Sequence, residues 1–197
     1  MKNYILDKSI TLINNKYNYD EIKLEEIRYG LEAIYLTITK AIVIFLLSYI
    51  LNIFKELIIF LLLFNIIRFF SFGLHAKNSI TCLIFSTITF ISLPYFCIYL
   101  NINNTLKIIL FILLIILIGY FSPADTEKRP IISKKRRLTY KIISTVITII
   151  YFVTSLTIKN NFISNALLFS LIVQLFLINP ISYKLFKVSY NNYLRYS

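Results

Sequence analysis

A single histidine and one of only two cysteines stand seven positions apart in the stretch Arg68–Cys82, which reads RFFSFGLHAKNSITC. A thiol is a poor nucleophile until it becomes a thiolate, and a neighbouring imidazole or a helix N-terminus favours that form near neutral pH. Cys82 is thus a candidate nucleophile and His75 a candidate base. With Asn78 or Ser79 as N-cap, Cys82 falls in the first turn of a helix. There, free backbone N–H groups and partial positive charge favour both a thiolate and a developing oxyanion. The bland alternative is a short polar turn with an incidental histidine and a cysteine packed as a small hydrophobe.

Geometry constrains this pair. On one continuous helix, positions 75 and 82 share a face but are separated by ~10.5 Å along the axis. Both side chains would lean toward the N-terminus, which points the imidazole away from the thiol. Direct proton transfer therefore requires a bend. Gly73 and the polar run Lys77-Asn78-Ser79 offer the place for one. Cys97 is a weaker nucleophile candidate, deep in the apolar run ISLPYFCIYL beside Pro94. On one helix the two cysteines lie ~22 Å apart and cannot form a disulfide. One histidine and no paired CxxC argue against a metal site, and no cofactor is expected.

The elements that must position these groups are membrane-type helices. Of the 197 residues, 58% are hydrophobic, and the mean hydropathy is +0.74. A soluble domain of this size could not bury that much apolar surface. Apolar segments at about 34–54, 57–72, 80–100, 106–122, 142–158 and 162–181 approach or reach the ~20 residues that cross a bilayer. The expected fold is an all-α polytopic membrane protein with about six transmembrane helices. Residues 1–32 read as two short amphipathic interfacial helices, interrupted at Asn14-Asn15 and Asn18–Asp20. They either lie on the bilayer or pack on the cytoplasmic face of the bundle. Their scattered charge does not resemble a cleavable signal peptide. The expected organisation is 1–32 interfacial, 33–182 a six-span domain, and 183–197 a basic cytoplasmic tail.

Charge sets the expected orientation. The 123–141 connection carries Lys128, Arg129, Lys134, Lys135, Arg136, Arg137 and Lys141, against Lys55, Lys107 and Lys159 on the opposite side. The positive-inside rule places the richer side, both termini and His75 in the cytoplasm. The net charge of +12 is spread in short segments beside apolar runs, which fits membrane orientation and not nucleic-acid binding.

Polar residues within the spans are the remaining candidates. Lys40 either snorkels to the headgroups or faces the bundle to meet a substrate carboxylate. Asn65 and Arg68, one turn apart, are expected to face protein, because lipid would leave them unsatisfied. Asp125 and Glu127 are the only acidic residues after Glu56. They either orient His75 or a basic substrate group, or pair with Lys128 and Arg129 in an ordinary loop. The cluster Lys134–Arg137 suits an acidic peptide or anionic phospholipid, though orientation alone accounts for it.

Arg68, Gly73, His75 and Cys82, followed by Ser122-Pro123-Ala124-Asp125-Thr126-Glu127-Lys128-Arg129-Pro130-Ile131, resemble the accessory gene regulator B family. These are bacterial membrane endopeptidases that process quorum-sensing peptide precursors. The resemblance spans essentially the whole chain. It departs in one place: the family commonly has two glycines before the histidine, where this chain has Phe72-Gly73-Leu74. The resemblance implies a thiol protease of the Agr system in the cell membrane, with Cys82 as nucleophile and His75 as base. Beside that pair, Arg68, Gly73, Ser79, Asp125, Glu127 and Lys40 are the candidates for supporting or substrate-binding roles. The implied substrate is an AgrD-like propeptide, cleaved through a thioester on Cys82 and closed to a thiolactone or lactone; a homodimer is also implied. The competing reading is a small non-enzymatic transporter or assembly partner. No internal repeat is evident, and few ionisable residues line the spans to form a pathway. No HExxH, GxSxG or acidic metal cluster is present.

Overall fold

The computed structural model describes residues 2–74, 79–126 and 130–195. Eight helices follow in order: α1 (Lys2–Tyr17), α2 (Glu21–Ile50), α3 (Phe54–Ser71), α4 (Ser79–Tyr99), α5 (Asn104–Phe121), α6 (Lys134–Thr157), α7 (Asn161–Ile178) and α8 (Pro180–Leu185). A 3-10 turn, Asn192–Arg195, closes the described chain. The all-α membrane architecture holds, with α2, α4, α5, α6 and α7 long and apolar enough to cross a membrane. The remaining apolar segment forms α3, 18 residues carrying Lys55, Glu56 and Arg68.

The chain divides into two compact units, Met1–Leu47 and Ser48–Ser197. In the first, the amphipathic pattern resolves differently from two short helices. Asn14-Asn15 lies within α1, and the break falls at Asn18, whose φ is +47°. Asp20 then accepts the Lys23 N–H at 3.0 Å. With no proline after it, the second amphipathic stretch runs directly into the first apolar segment as the 30-residue α2. Arg28 pairs with Asp7 at 2.7 Å between α1 and α2.

The second unit is built around α7, which packs against α3, α4, α5 and α6. Its ends are set by asparagines. Asn160 accepts the Ile163 N–H at 3.1 Å, and Asn179 accepts the Ile181 N–H at 2.9 Å as the N-cap of α8, whose first residue is Pro180. Leu168, Leu171 and Ile178 of α7 are fully buried with Phe111, Ile118 and Ile67. Lipid tails are as apolar as leucine, so burial alone does not hold such a bundle; close packing and interhelical hydrogen bonds do. Accordingly α7 carries buried Ser164, Asn165, Ser170 and Gln174. At its N-terminal end, Lys107 Nζ donates to Ser164 Oγ at 2.7 Å, and Asn165 Nδ2 donates to the carbonyls of Cys97 and Leu100.

Two local expectations change. Asn65 is exposed rather than turned toward protein. Its Nδ2 donates to the Leu61 carbonyl one turn back at 2.8 Å, so its own helix satisfies it. The basic cluster Lys134–Arg137 is not loop but the first turn of α6, which Ser133 caps by accepting the Arg136 N–H.

Candidate active site

α3 ends at Ser71, and Phe72, its C-cap, has φ +57° and ψ −134°. The chain therefore leaves the helix sharply, and Gly73 follows at φ +116°. The α3 helix thus stops before the histidine–cysteine motif. Residues 72–74 instead make a short non-helical turn, held by three sets of hydrogen bonds.

The first hold comes from Arg68 itself. Its Nη1 donates to the Phe72 carbonyl at 2.6 Å, and its Nη2 donates to the carbonyls of Gly73 at 3.2 Å and Leu74 at 2.8 Å. The planar guanidinium presents several donors in one rigid fork, which suits three successive carbonyls. The second hold is α7. Gln174 Nε2 donates to the Phe72 carbonyl at 2.7 Å, and the Leu74 N–H donates to the Leu177 carbonyl at 2.9 Å. Leu177 lies in the last turn of α7, where carbonyls lack a helical partner. The third hold is the Ser122–Asp125 segment, paired with Phe72 in a parallel bridge. The Gly73 N–H donates to the Ala124 carbonyl at 2.8 Å, and the Ala124 N–H donates to the Ser71 carbonyl at 3.0 Å. The two sequence motifs, some fifty residues apart, thus meet through backbone hydrogen bonds.

Asp125 is 3% exposed. One carboxylate oxygen accepts the Asn192 N–H at 2.9 Å; the other accepts the N–H groups of Tyr193 at 2.8 Å and Ile131 at 3.3 Å. It caps the terminal 3-10 turn from across the fold, much as an acidic N-cap does. Its carboxylate is thereby engaged by backbone donors. Tyr183, fully buried, donates to the carbonyls of Asp125 at 3.0 Å and Ala124 at 3.3 Å. Burial pushes the Tyr183 phenol up from its ordinary range, against the opposing pull of nearby Arg68.

Cys82 is the fourth described residue of α4. It is partly buried and free, with its Sγ 3.9 Å from Ser86 Oγ, and Ser86 Oγ donates to the Cys82 carbonyl at 2.5 Å. Cys97, one helix-length away on α4, is completely buried. Ser79 begins α4. Lys40 is half-buried on α2, in the first unit. His75 and Glu127 lie outside the described residues.

The structure therefore brings Arg68, Gly73 and Asp125 into one hydrogen-bonded hub, while Cys82 lies on α4 with Ser86 as its partner. Sequence reasoning missed Gln174, Tyr183 and the terminal Asn192-Tyr193 turn. Gln174 did carry a signal, a primary amide within an apolar span, which must find partners there. The other two offered none, because their roles arise from backbone groups distant in sequence.

An all-helical membrane bundle with an arginine-clamped glycine turn paired to the Ser122–Asp125 segment defines the class. Within it, a family profile for accessory gene regulator B matches residues 6–178. The chain is 31% identical, over 99% of its length and 95% of the relative's, to an AgrB-like protein of Clostridium acetobutylicum. It is 33% identical to the accessory gene regulator protein B of Staphylococcus aureus strain MRSA252, over 90% of this chain and 94% of that one. The strain Newman protein of the same name is 35% identical over 80% and 82% of the two chains. No solved structure matches. The chain belongs to the accessory gene regulator B family.

Proposed function

We propose that this protein is a membrane-embedded cysteine endopeptidase that trims and cyclises a quorum-sensing propeptide. The observation that carries the reading is the interruption between α3 and α4. α3 ends at Ser71, the Arg68-clamped segment 72–74 precedes His75, and Cys82 lies on the next described helix, α4. A histidine–cysteine dyad at this spacing requires a bend between the two residues, and family membership supports the reading.

The Cys82 thiolate attacks the scissile carbonyl of an AgrD-like propeptide. The tetrahedral oxyanion is met by N–H groups of the first turn of α4 and by the positive charge of Arg68. Collapse expels the C-terminal tail as an amine, which takes its proton from the His75 imidazolium and leaves a thioester on Cys82. An internal thiol or hydroxyl of the peptide then attacks that thioester, giving its proton to His75. The Cys82 thiolate departs, and a thiolactone or lactone is released. A thioester retains much of the acyl-transfer potential of its precursor, and a site poor in water favours ring closure over hydrolysis. On this reading the site and both termini face the cytoplasm of a bacterial cell membrane, and the protein works as a homodimer.

Co-expression with a precursor encoded nearby provides the test. Cleavage is expected from wild type and Cys97→Ala and is abolished in Cys82→Ala and His75→Ala, with a mass adduct of the acyl peptide trapped on Cys82. Undiminished processing by Cys82→Ala would end the peptidase reading.

A further inference from the structure

We propose that the cleft between the end of α5, the start of α6 and the C-terminal segment is a binding site for the headgroup of an anionic phospholipid. The cleft has a volume of about 530 Å³ and is lined by Lys134, Arg137, Lys141, Tyr120, Tyr190 and Tyr193, among others. The three cations fall at spacings of three and four on α6, so they form one stripe on one face. No acidic side chain lines the cleft among the described residues, and none stands in the first turn of α6. The nearest acid of the hub, Asp125, already has its carboxylate bonded to backbone N–H groups. Cations in the first turn of a helix also oppose its dipole, so the described lining of the cleft concentrates positive potential.

Depth and lining favour a lipid as the occupant. Lys141 stands directly before the apolar run that begins at Ile142, and Lys134 lies two turns further out. The cations therefore occupy headgroup level, where tyrosines also concentrate. Leu138 and Pro180 add an apolar wall beside the charges, which suits a molecule with an acyl chain below its phosphate. Arg137 is held over the Tyr193 ring, 3.1 Å from its centroid, so it is fixed toward the cleft at little further entropic cost. The inference is independent of the peptidase reading, because binding is measured without processing.

The test uses the full chain in phosphatidylcholine nanodiscs with graded phosphatidylglycerol, read by lipid retained in native mass spectrometry. Preference for phosphatidylglycerol over phosphatidylcholine is expected to be at least about tenfold. It is lost in the combined variant Lys134→Gln, Arg137→Gln, Lys141→Gln and kept in Lys184→Gln, Lys187→Gln. Wild-type protein is also labelled with phosphatidylglycerol carrying a headgroup diazirine, which needs no variant to fold. Adducts are expected on Leu138, Tyr190 or Tyr193. Label spread evenly over the other helix ends, or unchanged preference in the combined variant, would overturn the proposal. So would displacement of the lipid by a soluble acidic peptide at lower concentration than phosphatidylglycerol itself, which would assign the cleft to a peptide.

Discussion

The guanidinium of Arg68 fills the space that a side chain at position 73 would need. A Cβ on Gly73 would strike Arg68 Nη1 and stand 2.7 Å from the Leu177 carbonyl oxygen. The arginine and the glycine are thus one device: the first can clamp the hinge only because the second has no side chain.

Gly73→Ala should therefore be damaging. Its φ of +116° alone costs an alanine about 1–3 kcal/mol, before any displacement of the clamp. Gly30→Ala is the control. Gly30 is helical with open space around its Cβ position, so alanine should stabilise by about 0.5–1 kcal/mol. Thermal unfolding of both variants in mild detergent checks the pair, and equal effects would refute the account.

Phe72 adopts φ +57° and ψ −134°, a conformation that favours glycine. Phe72→Gly removes about 1–3 kcal/mol of backbone strain. It forfeits a ring contact with Tyr140, at a centroid distance of 5.2 Å, worth about 0.5–1.5 kcal/mol beyond area burial. The two effects oppose each other, so the net change in stability should stay within about 2.5 kcal/mol. Peptide processing should stay within a few-fold of wild type. A collapse in either would show that the aromatic side chain, not the backbone, matters here.

Arg68→Lys keeps the charge but not the fork. A single ammonium cannot reproduce the directed bonds to the carbonyls of residues 72, 73 and 74. Processing is expected to fall at least about tenfold, the cost of one net hydrogen bond or more to a charged donor. Full activity in Arg68→Lys would mean that charge alone suffices.

Asp125→Ala leaves the N–H groups of Asn192, Tyr193 and Ile131 without their acceptor. Each buried donor left unsatisfied costs about 1–3 kcal/mol. The C-terminal segment should detach first, seen as faster proteolysis after Lys187 and Arg195 with the helical bundle still protected. Unaltered cleavage would refute Asp125 as the staple of this segment.

Tyr183 links stability to high pH. Burial raises its phenol above the ordinary value, and only the protonated hydroxyl donates to the Ala124 and Asp125 carbonyls. Its contribution is complete below the unfolded value of about 10 and declines as pH rises above that. Tyr183→Phe should cost about 1 kcal/mol at neutral pH and flatten the decline in stability above pH ~10. Equal alkaline slopes in the two proteins would refute this.

The sequence alone determined the helical membrane class. Runs of apolar residues long enough for a bilayer admit no other satisfied backbone, and the helices fall close to those runs. It also determined that the histidine–cysteine stretch needs a bend, since helix geometry forbids their contact otherwise. It misjudged where helices begin in polar sequence. Asn14-Asn15 sits inside α1, and Lys134–Arg137 inside α6, where the Ser133 cap starts the helix ahead of the apolar run. Only the tertiary structure decided what Arg68 and Asp125 touch. Their partners are backbone carbonyls and N–H groups from distant segments, and every residue type carries those groups alike, so no side-chain pattern announces them.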